Sequence, residues 1–495
     1  MGQAKHGVCA MDKLLKTCGV IEKAEAVCLF LLPLCLPLSW RWASYVMAAL
    51  CVVGCVKAFC RRRILPEGGL RRALPYLLFS ATFFCYLLSV LWSDNSHEAW
   101  RMVDKKLPFL LLPICFLISQ PVLDGRRVRN ILRLFTGSVL AVFAANLVLA
   151  LYDIAHGAPF YRMLNENLMT LFSLHHTYMS MYACLGIAFC LFAPAEGRPR
   201  LLLRIVSLLM LSLFVLLLES RAGLLCMSSL YVVFCIWLIL AKRRRLAGFS
   251  LAALLLTAVA AAGLLVPGSF DRVAQTVRSL FSETEPDCRM VQREAYRPLL
   301  GESGLFGLGG GDRIPAYAAC FRDSRDSLLS QVKPTPDADL SVFESERNAC
   351  MDSLQARLYF YSDFDNSPEI ARFAGKYHCD SASVRQVLYR YLVLSDAIEM
   401  EFNAHNQYED TLVAVGWVGL ALLFFYFMFP VAVMWRRREW DPLLCSLLWI
   451  VAFNALFESV LEKQSGILFF LYFLLIFYQK NVCIGPIHKS EGHPA

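Results

Sequence analysis

The sequence predicts an all-α polytopic integral membrane protein with about twelve transmembrane helices and one large, mainly helical loop on one face. Three observations carry that prediction. First, 57% of the 495 residues are hydrophobic and only 18% are charged, whereas a soluble domain carries about a quarter charged residues. Second, the excess apolar sequence, which lifts the mean hydropathy to +0.51, falls in runs of about 17–25 residues, the length that crosses a bilayer as a helix. Third, the basic residues cluster between those runs. Disorder, a collagen-like chain, a disulfide-knotted secreted domain and a soluble nucleotide-binding enzyme are excluded. The net charge of +8 is no sign of nucleic-acid binding, because the clusters have the pattern of cytoplasmic loops.

Window hydropathy places the spans at roughly 24–40, 43–60, 73–92, 107–120, 134–152, 174–193, 203–219, 223–241, 247–266, 408–434, 442–460 and 466–479. Residues Met1–Glu25 are polar, and no small-residue cleavage site follows the first apolar run, so the start reads as an uncleaved anchor. The fourth span holds Pro108 and Pro113 and is expected to tilt or break. No internal repeat is visible. With the N-terminus in the cytoplasm, the connections after even-numbered spans carry Arg61–Arg63, then Arg126, Arg127, Arg129 and Arg133, then Arg198, Arg200 and Arg204, then Lys242–Arg245, then Arg436–Arg438. The opposite orientation violates the positive-inside rule at every one of these loops.

Four segments follow: residues 1–266 with helices one to nine, a loop or cap over 267–405, helices ten to twelve over 406–480, and a cytoplasmic tail over 481–495. Acidic residues outnumber basic ones in the cap, opposite to the cytoplasmic loops. Within it, Val384, Val387, Leu388, Tyr391, Leu392 and Ile398 recur on one helical face. A long segment without structure is improbable in a compact protein, so the cap is expected to be helical and packed on the membrane part. It holds Cys288, Cys320, Cys350 and Cys379, which permit two disulfides in any of three pairings.

Ionisable residues in or beside a span are functional candidates, and here they gather on the cap side. Arg221, in Glu219-Ser220-Arg221-Ala222-Gly223, ends a long apolar run at a tight turn. An interfacial arginine can snorkel to lipid headgroups, but at the mouth of a bundle its guanidinium fork suits phosphate. Arg289 and Arg293 stand at i and i+4 and share a helix face. The run Gly307-Leu308-Gly309-Gly310-Gly311-Asp312 lacks the Lys-Ser/Thr ending of a phosphate loop and reads as a tight turn.

The strongest element is Asn403-Ala404-His405-Asn406-Gln407-Tyr408, entering the tenth span, with Leu412, Gly416 and Gly419 beyond it. Asn403 or Asn406 can cap that helix, whose positive dipole end favours a neutral imidazole, the form a general base needs. Weaker candidates are His175 and His176, and Asn454 with Glu458 at i and i+4. No group has convincing metal-ligand spacing, so no metal and no cofactor are expected.

These pieces, in this order, resemble the O-antigen ligase and polymerase superfamily. They are the Arg221 turn, the Arg289 segment leading to the glycine-rich run, the His405–Tyr408 run with Leu412, Gly416 and Gly419, and Glu458 through Gly466. The likeness spans roughly residues 75–480 and is most specific at the His405 run. The chain departs from the family pattern at Arg293, where an aromatic is expected, at Gly304, where a proline is expected, and at His175–Tyr178. The resemblance implies a metal-independent, inverting glycosyltransferase at the periplasmic face of the bacterial inner membrane, with both termini cytoplasmic. Its donor would be a glycan on undecaprenyl diphosphate and its acceptor the lipid A–core oligosaccharide. Arg221 and Arg289 would bind and stabilise the departing diphosphate, and His405 would take the proton of the acceptor hydroxyl. Arg293, Asn406, Tyr408, His175 and Glu458 are the expected substrate-binding residues. Membrane lipids are partners and nucleic acid is not. A glycan polymerase or a protein O-oligosaccharyltransferase uses the same chemistry. A lipid-linked glycan transporter is the reading from another class, and polar groups near the bilayer midplane would favour it.

Overall fold

The computed structural model describes residues 2–61, 69–172, 174–194, 198–240, 288–329, 331, 339–355, 367–401 and 403–483. Helices and turns account for these residues, with no strand among them. The predicted ninth span (247–266), the Lys242–Arg245 cluster and most of the predicted tail lie outside the described residues.

In chain order the membrane part begins with α1 (Gly2–Cys35), α2 (Trp40–Arg61), α3 (Leu70–Ser89), α4 (Ser96–Ser119) and α5 (Gly125–Ala155). A short connection with α6 (Asn165–Leu168) leads to α7 (His176–Phe192), α8 (Arg198–Leu217) and α9 (Arg221–Leu240). The cap comprises α10 (Cys288–Glu302), α11 (Arg313–Leu329), α12 (Leu340–Gln355), α13 (Pro368–Lys376) and α14 (Ser381–Glu399). The chain then returns through α15 (Gln407–Arg437), α16 (Pro442–Asn454) and α17 (Gln464–Cys483).

Every other predicted span coincides with one of these helices. Six helices among the described residues are long and apolar enough to cross a membrane: α2, most of α3, α5, most of α8, α9 and α15. Helices α7 and α16 are apolar but shorter. The protein is therefore a helical, membrane-embedded one. Its turns carry their own chemistry: Asn95, Asp124 and Asp441 each accept a backbone N–H in the first turn of the helix that follows, satisfying donors that would otherwise be orphaned.

Helix α4 is not broken at its prolines. It runs unbroken from Ser96 to Ser119 with Pro108 and Pro113 inside, packed among α2, α3 and α17. Neighbouring helices on several sides hold its axis where an isolated helix would bend.

Among the described residues two main apolar cores form, with a small cluster of Tyr86, Met102, Ala414 and Val415 besides. The larger is built by α1–α5, α7–α9 and α15–α17. The smaller lies in the cap, where Tyr296, Tyr317, Phe321, Phe343, Phe373 and Leu388 are buried. The predicted amphipathic helix is α14, which buries Val384, Val387, Leu388 and Leu392. Cys320, Cys350 and Cys379 lie half-buried against this core, whereas Cys288 is exposed.

The sharpest irregularity is in α15. Val415 and Gly416 leave helical geometry, with Gly416 at φ 68°. A continuous helix would bond Trp417 N–H to Val413 and Val418 N–H to Ala414. The glycine-rich turn between α10 and α11 replaces both. Leu308 and Gly309 donate to the carbonyls of Val413 (2.8 Å) and Ala414 (3.1 Å). Trp417 and Val418 donate to the carbonyls of Gly304 (3.2 Å) and Leu305 (3.1 Å). Gly307 is at φ 75°, and a Cβ there would overlap the Ala414–Val415 backbone, so the approach requires glycine. Asp312 closes the turn by accepting the N–H groups of Asp94 and Asn95, each at 2.8 Å.

Among the described residues, Lys57, Arg127, Arg129 and Lys480 sit at the end of the bundle away from the cap. One cavity of about 280 Å³ is lined by Arg129 of α5, Pro194 after α7, Asp441 before α16 and Lys480 of α17. Another joins Lys57 of α2 to Arg127 of α5. The starts of α5 and α16 and the ends of α2, α7 and α17 therefore share one end of the bundle.

Candidate functional site

At the cap end the loop between α16 and α17 meets the starts of α10 and α15. The loop 455–463 between α16 and α17 is the floor, and it carries Glu458. Asn406 caps α15 with its side-chain oxygen, 3.0 Å from Tyr408 N and 3.3 Å from Glu409 N. Just before it, His405 is held at φ 47°, while Asn403 accepts its backbone N–H at 3.0 Å. A non-glycine residue in this region is a strained position kept by its surroundings.

Glu458 is where two of the predicted residues, His405 and Arg289, meet. Its Oε1 lies 3.5 Å from Nδ1 of His405, and its Oε2 lies 3.6 Å from Nη2 of Arg289. Nη1 of Arg289 also donates to the carbonyl of Phe457 at 2.6 Å. The side chains of Glu458 and His405 are 14% and 20% exposed, whereas Arg289 is 44% exposed and faces outward at the rim. Burial alone would raise the Glu458 carboxyl. The hydrogen bond and charge of His405, then the charges of Arg289 and His175, outweigh burial and hold it at about 2. The carboxylate is therefore ionised in the site.

His175 is on the same rim. Burial, then the neighbouring His176, pushes its ring down to about 4, against the opposing charge of Glu458. Nε2 of His175 and Nδ1 of His176 lie 3.1 and 3.2 Å from one Glu166 oxygen, a grouping of a kind that can hold a metal ion. Its internal bonding argues for a self-contained cluster. Nδ1 of His175 accepts Thr177 N–H at 3.4 Å, which leaves Nε2 of the neutral ring as the donor to Glu166.

Arg293 pairs with Glu409 at 2.5 Å, and Glu409 also accepts the Tyr296 hydroxyl at 2.6 Å. Tyr408 directs its hydroxyl to the carbonyl of Ala452 at 2.9 Å and stacks on Phe424. In this structure Asn406, Tyr408 and Arg293 thus brace the site.

Arg221 is placed by register and not by a described contact with Glu458. It opens α9, whose Gly223 packs on Ser180 of α7. Trp449 of α16 donates to Ser229 of α9 at 2.8 Å. Arg221 is eight residues from Ser229, and Phe457 is eight residues from Trp449. On antiparallel helices this register puts Arg221 at the cap end of α9, the same end at which α16 stops at Asn454.

Beneath this layer is a buried charge network. Lys106 donates to Glu462 and to the carbonyl of Leu461, each at 2.6 Å. Arg313 bridges Asp410 and Glu462, the latter at 3.1 Å. All four side chains are at most 8% exposed. Two cations balance two anions, which keeps a dry cluster tolerable. Gln407 binds the same loop through Leu461 N–H at 2.6 Å and Ala455 O at 2.8 Å. The sequence reading missed Arg313, Asp410, Lys106 and Glu409. The available signal was an acid directly inside an apolar run, at Asp410, and a lysine at the start of another, at Lys106.

Chemically, the site offers an imidazole beside an ionised carboxylate, with a guanidinium on the carboxylate's other oxygen. No protein-family model matches the chain, and no curated protein matches it.

Proposed function

We propose that the chain is a membrane glycosyltransferase of the O-antigen ligase type. It would move a glycan from undecaprenyl diphosphate to lipid A–core oligosaccharide at the periplasmic face of the bacterial inner membrane. The observation that carries this reading is the meeting of His405, Glu458 and Arg289 at the cap end of an apolar bundle. The basic residues at the other end support an orientation with that end and both termini in the cytoplasm. Twelve spans follow from this reading if 247–266 crosses as well.

The reaction uses the site as follows. With Nδ1–H directed at Glu458, Nε2 of His405 keeps its lone pair for the acceptor hydroxyl. As the acceptor oxygen bonds to the anomeric carbon, its proton passes to Nε2. The bond from that carbon to the diphosphate oxygen breaks, and its electron pair leaves with the diphosphate. Attack opposite the leaving group inverts the carbon. Glu458 stabilises the imidazolium that forms, as a carboxylate does beside a catalytic histidine. Arg289 at the rim and Arg221 at the cap end of α9 supply guanidinium forks for the departing phosphates.

A transporter draws no support from the break in α15. Transporters bind cargo where helices are discontinuous, but here the freed backbone groups at 413, 414, 417 and 418 are taken by the turn.

The test is glycan transfer in a strain lacking its own ligase, read as a lipopolysaccharide ladder with wild type and His405→Ala at equal expression. A ladder lost only in the variant supports ligase activity and the role of His405. A ladder that survives His405→Ala sinks the general base. No ladder from well-expressed wild type, with a matched acceptor, moves polymerase or protein glycosylation ahead.

A further inference from the structure

The glycine-rich turn does more than fill the break in α15. Its tip projects two apolar side chains, Leu305 and Phe306, which are 64% and 58% exposed. Phe306 meets the ring of Trp92 edge-on at 6.1 Å, and Trp92 follows α3 in the loop toward α4. Trp417, at the restart of α15, is 56% exposed. The hydrogen bonds between Trp417 and Val418 and the turn place Leu305 at that same level. Charged surface there would be expected if the cap simply sat in water, since the rest of the cap surface is largely polar.

The depth of this level can be read along α15. Trp435 near its other end is 72% exposed and packs edge-on with Trp440 at 6.1 Å. Trp417 and Trp435 are 18 residues apart, about 27 Å of helix rise. A bilayer's hydrocarbon core is about 30 Å thick. Exposed tryptophans at both ends of such a span mark the two interfaces of the membrane. The first part of α15, with His405 and the Glu458 loop, then stands on the cap side of the interface.

We infer that Leu305 and Phe306 form a wedge seated in the interfacial layer of the bilayer on the cap side. The partner is lipid, at the boundary between headgroups and acyl chains. The wedge ties the cap to the membrane surface and sets the height of the site above the hydrocarbon. The four backbone hydrogen bonds, the tryptophan spacing and the exposed apolar Leu88, Leu91 and Val418 support this placement, independently of the reaction proposed above.

The experiment uses the full chain in lipid nanodiscs, with Phe306→benzoylphenylalanine, irradiated and analysed by mass spectrometry. Leu305→benzoylphenylalanine is the second variant, in case the first fails to fold. Val342→benzoylphenylalanine, at an exposed apolar position on the cap helix α12, is the control. A lipid adduct at position 306 or 305 and none at 342 is the expected result. No lipid adduct at either wedge position in a folded protein overturns the inference. So does an adduct to a second copy of the chain, which would make the wedge a protein interface, and so does an equal lipid yield at 342.

Discussion

Glu458→Gln removes one charge and keeps the size of the side chain. The magnitude follows from the carboxyl, held at about 2 against an ordinary 4.5. At about 1.4 kcal/mol per unit, its neighbours favour the ionised form by roughly 3 kcal/mol net of burial. His405 is the largest favourable contributor, ahead of Arg289 and His175. Each 1.4 kcal/mol of this stabilisation lost from the transition state is about a factor of ten in rate, so a neutral amide should slow the chemical step by about tenfold or more. The upper bound is set by orientation: turning a catalytic histidine to the wrong tautomer costs up to about 10⁴ in kcat. The assay is the initial rate of glycan transfer by the full chain in proteoliposomes, over a range of acceptor concentrations. Loss in kcat with little change in the acceptor KM is the expected pattern, because Glu458 acts through His405. A folded Glu458→Gln with wild-type kcat, alongside an inactive His405→Ala, would refute the reasoning.

Other expectations concern the frame around the site. Arg313→Met leaves Asp410 and Glu462 buried without their shared cation, and breaking such a cluster costs about 3–5 kcal/mol; the thermal midpoint in detergent should fall clearly. Arg293→Ala should cost under about 1 kcal/mol in the same measurement, because its guanidinium is 61% exposed. Gly307→Ala puts a Cβ into the α15 backbone at a φ of 75° and should destabilise by about 1–3 kcal/mol or more; a midpoint equal to wild type would contradict the close approach. His175 gives a pH dependence. Its folded value, about 4, lies below the ordinary 6.5, so the unfolded chain binds the extra proton in between. The stability contributed by the neutral ring is complete above pH 6.5 and is lost as pH falls toward 4. For a ring about one-third exposed this is roughly 1–2 kcal/mol, and His175→Gln should flatten the midpoint against pH across that window.

The helices were legible because apolar length and periodicity are local properties. The gathering of His405, Glu458 and Arg289 was legible in part, since each is polar where its neighbours are not. What the sequence hid was pairing across long separations. The break in α15 is written at Val415–Gly416, yet it is stable only because residues 304–309, over a hundred positions earlier, supply its hydrogen bonds. Pro108 and Pro113 do not break α4, and their effect is set by neighbours that no local window contains. The Tyr408 hydroxyl also bonds to α16, a contact that no local window reveals. Arg313 lies in the polar cap sequence, and only the fold buries it between two acids.

These pairings also bear on what the cap is. A soluble domain set on a membrane bundle would meet it through polar, separable contacts. Here α10 and α11 are joined by a turn whose backbone completes α15, and α11 begins with Arg313, which reaches Asp410 of α15 and Glu462 of the 455–463 loop. Lys106 of α4 closes the network from the membrane side. Removing the cap would therefore leave two kinds of debt in the bundle: unpaired backbone groups at the α15 break and two buried carboxylates with only one cation. Both costs are avoided only when cap and bundle fold together. The loop bearing Glu458 and the helix start bearing His405 are held from below by that shared structure, while Arg289 reaches the same carboxylate from the cap. A three-residue constellation built from segments so far apart in the chain stays in register because the elements carrying it are fixed to one another.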